Sequence, residues 1–464
     1  MKELSNIQEV YFIGIGGIGM SALARYFKSR GKLVSGYDKT ETALTRQLIK
    51  EGIPVYYQDN VDLISKNTDI VVYTPAIPKD HKGLQYYQQH AYPLLKRSEV
   101  LGTITKSSFN ICVAGTHGKT TITSMIAHIL RHSGYGCNAF LGGIAANYNS
   151  NFWSNENNVC VVEADEYDRS FLNLHPDIAV ISAMDADHLD IYGTEQEMQQ
   201  AFIDFSSKIK QGGVLFSKWG LPKTSELKAD SHFTYSRENK KADVYALNIT
   251  MQDGSYIYDV HKKSGVLKNV ALNMGGLHNI ENAVAAIAVA GQLGIEDEKI
   301  KAAVAAFKGV RRRFEYIVPP AEQNATVYVD DYAHHPAELE SLITGAKLLF
   351  GNKKCVVIFQ PHLFSRTRDF AEEFAASLDL ADEVILLPIY PARELPIAGV
   401  TSELIINKMK NDEKTIMTKT EVLAWVKNNA GKKEHNLLIT AGAGDIDQLV
   451  EPIKELLLAK QEMH

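Results

Sequence analysis

The stretch Cys112-Val-Ala-Gly-Thr-His-Gly-Lys-Thr-Thr121 constrains this chain more than any other, because it joins an apolar strand to an amphipathic helix through a loop shaped for phosphate. Gly115 and Gly118 let backbone amides turn inward around an anion, Lys119 adds a point charge, and the helix expected over about 119–133 aims its dipole at the same spot. Thr120 offers a hydroxyl to magnesium, and Thr116, His117 and Thr121 complete the nucleotide-binding run. Val113 stands where the general pattern has a glycine, so the loop is a shortened variant. A Gly-Lys-Thr triplet is also compatible with a plain strand-to-helix turn, but the strand and helix around it favour ATP.

A chain of 464 residues is too long for one core and suggests about two to four domains. Its 45% hydrophobic and 22% charged residues fit a soluble globular protein. The formal net charge of -6 argues against a general nucleic-acid binder and leaves anionic substrates open if cations are concentrated locally. Cys112, Cys137, Cys160 and Cys355 are widely spaced with no C-x-x-C pair, and read as buried thiols in a reducing compartment. The N-terminus has no signal-peptide pattern and no apolar stretch spans a bilayer, so a cytoplasmic enzyme is expected.

Strand and helix patterns alternate along three segments, which predicts an α/β fold of three domains. Residues 1–105 read as a small parallel, Rossmann-like domain. Residues 106–310 read as a P-loop-type ATP-binding core in which the runs between 231 and 272 look like an antiparallel elaboration. Residues 311–464 read as a second Rossmann-like domain.

Gly14-Ile-Gly16-Gly17-Ile18-Gly19 fits G-x-G-x-x-G between a strand and a helix, and Asp38 closes the next strand where a ribose-binding acid is expected. Alone, this says NAD-dependent dehydrogenase. The same loop holds any diphosphate, since its physics is close backbone approach and a helix N-terminus. Glu163 ends a strand and Asp165 and Glu166 follow it; Asp185-Ala-Asp-His188-Leu-Asp190 follows the next strand. Such hard ligands at strand ends suit magnesium on a polyphosphate, with a second ion between Glu163 and His188; a solvated acidic loop is the plainer alternative.

Gly276-Leu-His278-Asn279 leads into an alanine-rich helix where Asn279 and Asn282 can share a face and offer amides to an adenine edge, although Asn279 also suits a simple N-cap. Arg311-Arg312-Arg313 lies at the second domain junction, where an arginine can clamp phosphate or lie solvated. Asp331-Tyr332-Ala-His334-His335-Pro follows a strand; its histidines lack zinc-ligand spacing and suit polar substrate contacts. Phe359-Gln-Pro-His362-Leu-Phe-Ser-Arg366 delivers His362 and Arg366 to a carboxyl sheet edge, where Arg366 can take a carboxylate bidentately or be a mere surface ion pair. Gly442-Ala-Gly444-Asp445 is one more glycine turn, with Asp445 expected to cap the last helix.

Together these motifs resemble the Mur ligases over essentially the whole chain, through Gly14 to Met20, Ala114 to Thr121, Glu163-Ala-Asp-Glu, Asp187-His-Leu-Asp190, Gly276-Leu-His-Asn279, Arg312-Arg-Phe314, Asp331 to Pro336 and Phe359-Gln-Pro-His362. The resemblance implies an N-terminal domain for a UDP sugar, a central ATPase and a C-terminal domain that closes over ATP and an amino acid. It implies that Gly14, Gly16, Gly17, Ile18, Gly19, Asp38, Thr74 and Arg313 serve the UDP sugar, and that His278, Asn279, Asn282, Arg312 and Asp331 serve the nucleotide. Tyr332, His334, His362 and Arg366 would line the amino-acid side. The implied reaction is ATP-dependent phosphorylation of the lactyl carboxylate of UDP-N-acetylmuramate, then attack on the acyl phosphate by the amine of L-alanine. Lys119, Thr120, Glu163 and His188 would serve that transfer with two magnesium ions. A relative that joins a whole murein tripeptide to the same sugar is the nearest alternative.

Two departures stand out. Family members commonly carry an arginine after the proline-histidine pair, where this chain has Leu363, so amino-acid recognition must lean on Arg366 or another residue. Several relatives carbamylate a lysine downstream of the Asp-His motif; Phe202-Ile-Asp-Phe-Ser-Ser offers none, and Lys208 is late.

Overall fold

A computed structural model describes residues 6–167, 169–185, 192–252, 254–320, 326–392, 394–429 and 437–461, with side chains to 459. The chain divides into two compact units: residues 1–247, 259–268 and 281–304, and residues 248–258, 269–280 and 305–464.

In the first unit, Glu9–Ile13 (β1), Leu33–Tyr37 (β2), Val55–Tyr56 (β3), Ile70–Tyr73 (β4) and Leu94–Lys96 (β5) form a parallel sheet in the order β3-β2-β1-β4-β5. Val10, Tyr11, Phe12 and Ile13 are all buried, because a central parallel strand is covered on both faces. The strand order reverses between β1 and β4, and such a switch point opens a crevice at the carboxyl ends. The glycine loop after β1 and Thr74 after β4 therefore face the same crevice.

The second sheet takes in Phe109–Ala114 (β6), Asn138–Ala145 (β7), Ser150–Trp153 (β8), Val159–Glu163 (β9), Ile178–Ile181 (β10), Val214–Lys218 (β11), Ser231–Ser236 (β12), Val244–Gln252 (β13), Ser255–Lys262 (β14) and Gly265–Leu272 (β15). Its order is β15-β14-β13-β12-β11-β10-β6-β9-β7-β8. Strand β6 is parallel to both β9 and β10, so the loops that follow these three strands emerge together at one edge. The expectation of antiparallel strands from 231 onward needs correction, because β12 runs parallel to β11 and to β13. The long connection after β11 permits that crossover, whereas the tight turns joining β13, β14 and β15 suit a meander.

The helix Lys119–His132 packs Ile122, Met125, Ile126, Ile129 and Leu130 into the core, and burying each contributes about 1.5–3 kcal/mol. That anchoring fixes the loop ahead of the helix, which has no side-chain cap of its own.

In the second unit, Glu315–Val318 (β16), Val327–Asp331 (β17), Cys355–Phe359 (β18), Glu383–Leu386 (β19), Lys414–Ile416 (β20) and Leu437–Ala441 (β21) form a sheet in the order β16-β17-β21-β18-β19-β20. All neighbours are parallel except the edge strand β16. The loops after β17, β18 and β21 thus share one carboxyl edge. All four cysteines are buried free thiols. Among the described residues, no helix is long and apolar enough to cross a membrane.

Candidate active site

The loop after β6 is held open by backbone geometry that only glycine takes easily. Gly115 and Gly118 have φ of 137° and 81°, and a Cβ on Gly118 would come 2.8 Å from Asn282 Oδ1. The loop leans on the end of β10: Thr116 N donates to the Ala183 carbonyl at 3.2 Å, and Ser182 Oγ donates to the His117 carbonyl. His117 is exposed, 3.8 Å from Asp185, and Thr121 is buried in the first helical turn.

Lys119 Nζ donates to the Gly115 carbonyl at 2.7 Å and to Glu166 Oε1 at 2.6 Å. Glu166 is 1% exposed and its Oε2 has no hydrogen-bond partner among the described residues. Burial pushes its carboxyl up and Lys119 pulls it back; the 2.6 Å contact and the unpaired ammonium otherwise left favour the ion pair. Thr120 Oγ1 donates to Glu163 Oε1 at 3.1 Å, and the Gly142 amide donates to Glu163 Oε2 at 3.0 Å. A Cβ on Gly142 would run into that carboxylate.

Glu163 also faces a cleft of about 310 Å³ lined by the first-sheet loops at Gly17, Ile18, Gly19 and Thr74 and by Arg97 and Asp165. In the glycine loop, Gly16 N donates to Asp38 Oδ2 at 2.7 Å, while Gly14 N and Ile15 N donate to the Tyr37 carbonyl. Asp38 is thus first a brace for the loop. The first-turn amides of Ile18, Gly19 and Met20 face this point without an intrahelical acceptor, and the helix has no side-chain cap.

The expected adenine residues share the start of one helix, Leu277–Gln292. Asn282 lies against Gly118. His278 is exposed, and Asn279 is buried with Nδ2 donating to the Gly275 carbonyl at 2.6 Å. Arg312 is not a solvated cation. Its Nε donates to Asp330 at 3.1 Å, its Nη2 to the Gly442 carbonyl at 2.5 Å, and its guanidinium covers the Tyr332 ring. Arg313 is exposed. Asp331 accepts from the amides of Phe314 at 2.6 Å and Ala333 at 2.7 Å, and burial pushes its carboxyl up to about 6. Asp445 does not cap the last helix: it pairs with Lys419 at 2.6 Å and accepts from Gln360 Nε2 at 2.8 Å.

The second unit gathers Tyr332, His334, His362 and Arg366. The His334 ring lies 5.3 Å from Tyr332 and 6.1 Å from His362, and His362 stacks on Tyr390. Leu363, at φ 71°, turns the chain into the helix Phe364–Asp369, which brings Arg366 beside His362. Three buried polar atoms here have no partner among the described residues: Gln360 Oε1, His362 Nδ1 and Arg366 Nη1. Burial, then Arg366 and His334, hold the His362 imidazole below its usual range. Buried polar atoms left unpaired mark a place for a polar ligand.

His188 lies outside the described residues, among which no group of three or more metal-ligating side chains forms. Arg97, Gly142 and Tyr390 are parts of these sites that motif reading leaves out, while Asp165, Glu166 and Gln360 fall inside the motifs without the contacts found here. Arg97 and Gln360 sit just past strands β5 and β18, and that position was the available signal.

Three family models match the chain: "Mur ligase family, catalytic domain" over residues 9–108, "Mur ligase middle domain" over 113–290, and "Mur ligase, glutamate ligase domain" over 312–444. The UDP-N-acetylmuramate–L-alanine ligase of Flavobacterium johnsoniae is 47% identical over 98% of this chain and 99% of its own. The crystal structure of the UDP-N-acetylmuramate-alanine ligase of Thermotoga maritima superposes with a TM-score of 0.81 at 29% identity, covering 99% of this chain and all of that one. A murein peptide ligase from Psychrobacter arcticus shares the fold, with a TM-score of 0.64 at 23% identity over 97% and 98% of the two chains. Matched from end to end at this identity, with the glycine loops and strand-end acids in place, the chain belongs to the Mur ligase family.

Proposed function

We propose that the protein is an ATP-dependent ligase that adds L-alanine to the lactyl carboxylate of UDP-N-acetylmuramate, a step in peptidoglycan synthesis. The observation that carries this reading is the double role of Glu163, which accepts from Thr120 of the ATP loop and lines the cleft entered by the sugar-nucleotide loop. A γ-phosphate on the one side and a sugar acid on the other would meet at this carboxylate.

A carboxylate is a poor acyl donor, so its oxygen first attacks the γ-phosphorus, releasing ADP and leaving an acyl phosphate. The amine of alanine then adds to the acyl carbon, and the tetrahedral intermediate expels phosphate to leave the amide. The chain's part is positioning and charge stabilisation. Lys119 supplies a fixed positive charge at the loop mouth, Gly115 and Gly118 expose amides, and Asn282 sits against the loop for the base or ribose. Thr120 and Glu163 fit magnesium, which takes one or two carboxylates and completes its shell with phosphate and water, and His188 is the expected ligand of a second ion. When bound, magnesium would neutralise charge on the transferring phosphoryl group.

In the second unit, Arg366 would hold the alanine carboxylate bidentately. His362, kept neutral near pH 7, would accept a hydrogen bond from the amine. Tyr332 and His334 flank this pair. Arg313 would reach a phosphate or the sugar acid.

The test is ADP release by the purified protein. Release that requires both UDP-N-acetylmuramate and L-alanine is expected, and Lys119→Ala should lower it by about 10²-fold or more. Release with the murein tripeptide but not with alanine would move the assignment to the recycling ligases.

A further inference from the structure

We propose that Arg97 is the receptor for the diphosphate of the sugar nucleotide, and that Asp165 occupies it until that anion takes its place. The proposal rests on the reading that the cleft takes a UDP sugar. Arg97 opens the helix Arg97–Lys106 directly after β5, at the carboxyl edge of the first sheet. Its guanidinium crosses to the glycine loop so closely that a Cβ on Gly19 would lie 2.9 Å from Nη1. Glycine at 19 is what permits the approach.

At that point the orphan amides of the helix Ile18–Ser29 and its dipole already favour an anion. A planar guanidinium beside them matches two phosphate oxygens at once. In the structure Arg97 Nη2 meets Asp165 Oδ2 instead, at 3.3 Å, with both side chains on the wall of the cleft. This single long contact is partly solvated, with Arg97 23% and Asp165 41% exposed, so it is readily exchanged. Asp165 keeps another partner when released, since its Oδ1 accepts from the Tyr167 amide at 3.2 Å. Asp165 therefore acts as an internal competitor: it keeps the cation in the cleft and gives way to a ligand that offers two oxygens.

Calorimetric titration of the full chain with UDP, and separately with UDP-N-acetylmuramate, tests this without ATP or turnover. Arg97→Gln should weaken UDP binding by about 10- to 100-fold, with Arg97→Lys in between because it keeps the charge and loses the fork. Asp165→Asn should tighten UDP binding a few-fold and should change nothing once Arg97 is glutamine. UDP affinity within about twofold of wild type in Arg97→Gln would overturn the proposal, being far below the loss of one charge-assisted contact. So would a loss confined to UDP-N-acetylmuramate, which would put Arg97 on the sugar acid, or Asp165→Asn weakening binding as Arg97→Gln does. Absence of UDP binding by the wild-type chain would overturn the cleft assignment as well, so the two failures are distinguishable.

Discussion

Gly142 shows how tightly the phosphoryl-transfer site is built. Its amide orients Glu163, and its Cα leaves no room for a methyl group between strand and carboxylate. Gly142→Ala should therefore displace Glu163 and lower kcat by about 10²-fold, the cost of a misplacement near 1 Å, while the melting temperature moves little. Kinetics paired with calorimetry separates this from general destabilisation. At this scale the sequence was most informative where chemistry and backbone coincide: Lys119, Thr120 and Glu163 sit where a strand-loop-helix reading places them. Elsewhere a residue's own contacts modify the role its motif predicts. Asp38 and Asp331 brace backbone amides, Asn279 is tied to the Gly275 carbonyl, and Arg312 is bound to Asp330 and the Gly442 carbonyl. Such local bonds depend on turns whose geometry no motif specifies.

Among the elements, the helix Lys119–His132 has a second anchor at its far end. His128 Nε2 lies 2.9 Å from the Ala303 carbonyl, which can only accept, so this nitrogen carries the proton and Nδ1 accepts from Tyr148 at 2.8 Å. Burial holds this imidazole down to about 4. An imidazole with a depressed folded pKa contributes stability that is fully present above its ordinary value near 6.5 and lost as pH falls toward the folded value. The loss amounts to about 3 kcal/mol. His128→Gln, which can donate and accept at the same places, should be less stable than wild type at pH 7.5, and the gap should close between pH 6.5 and 4. Urea unfolding across that range measures it. The helix itself was legible from its glycine start and apolar period. Strand β12 departs from the antiparallel expectation, because Phe233-Thr-Tyr has no feature that distinguishes a parallel partner from an antiparallel one; the length of the preceding connection decides.

For the whole molecule, three α/β sheets were legible from the recurrence of strand, glycine turn and helix, and the family comparisons agree with that architecture. Legibility was lower for the amino-acid side. Leu363 in place of an arginine looked like a loss, yet its left-handed backbone starts the turn that sets Arg366 beside His362. Gln360, inside a motif already noticed, completes the group of unpaired buried atoms, and burial is not visible in sequence. The central claim is that the carboxylate of the sugar nucleotide is activated as an acyl phosphate before the amine arrives. Its most direct test is to label both lactyl carboxylate oxygens of UDP-N-acetylmuramate with heavy oxygen and to analyse the inorganic phosphate released during ligation to L-alanine. The account predicts that each phosphate carries one labelled oxygen, and phosphate released without label would contradict it.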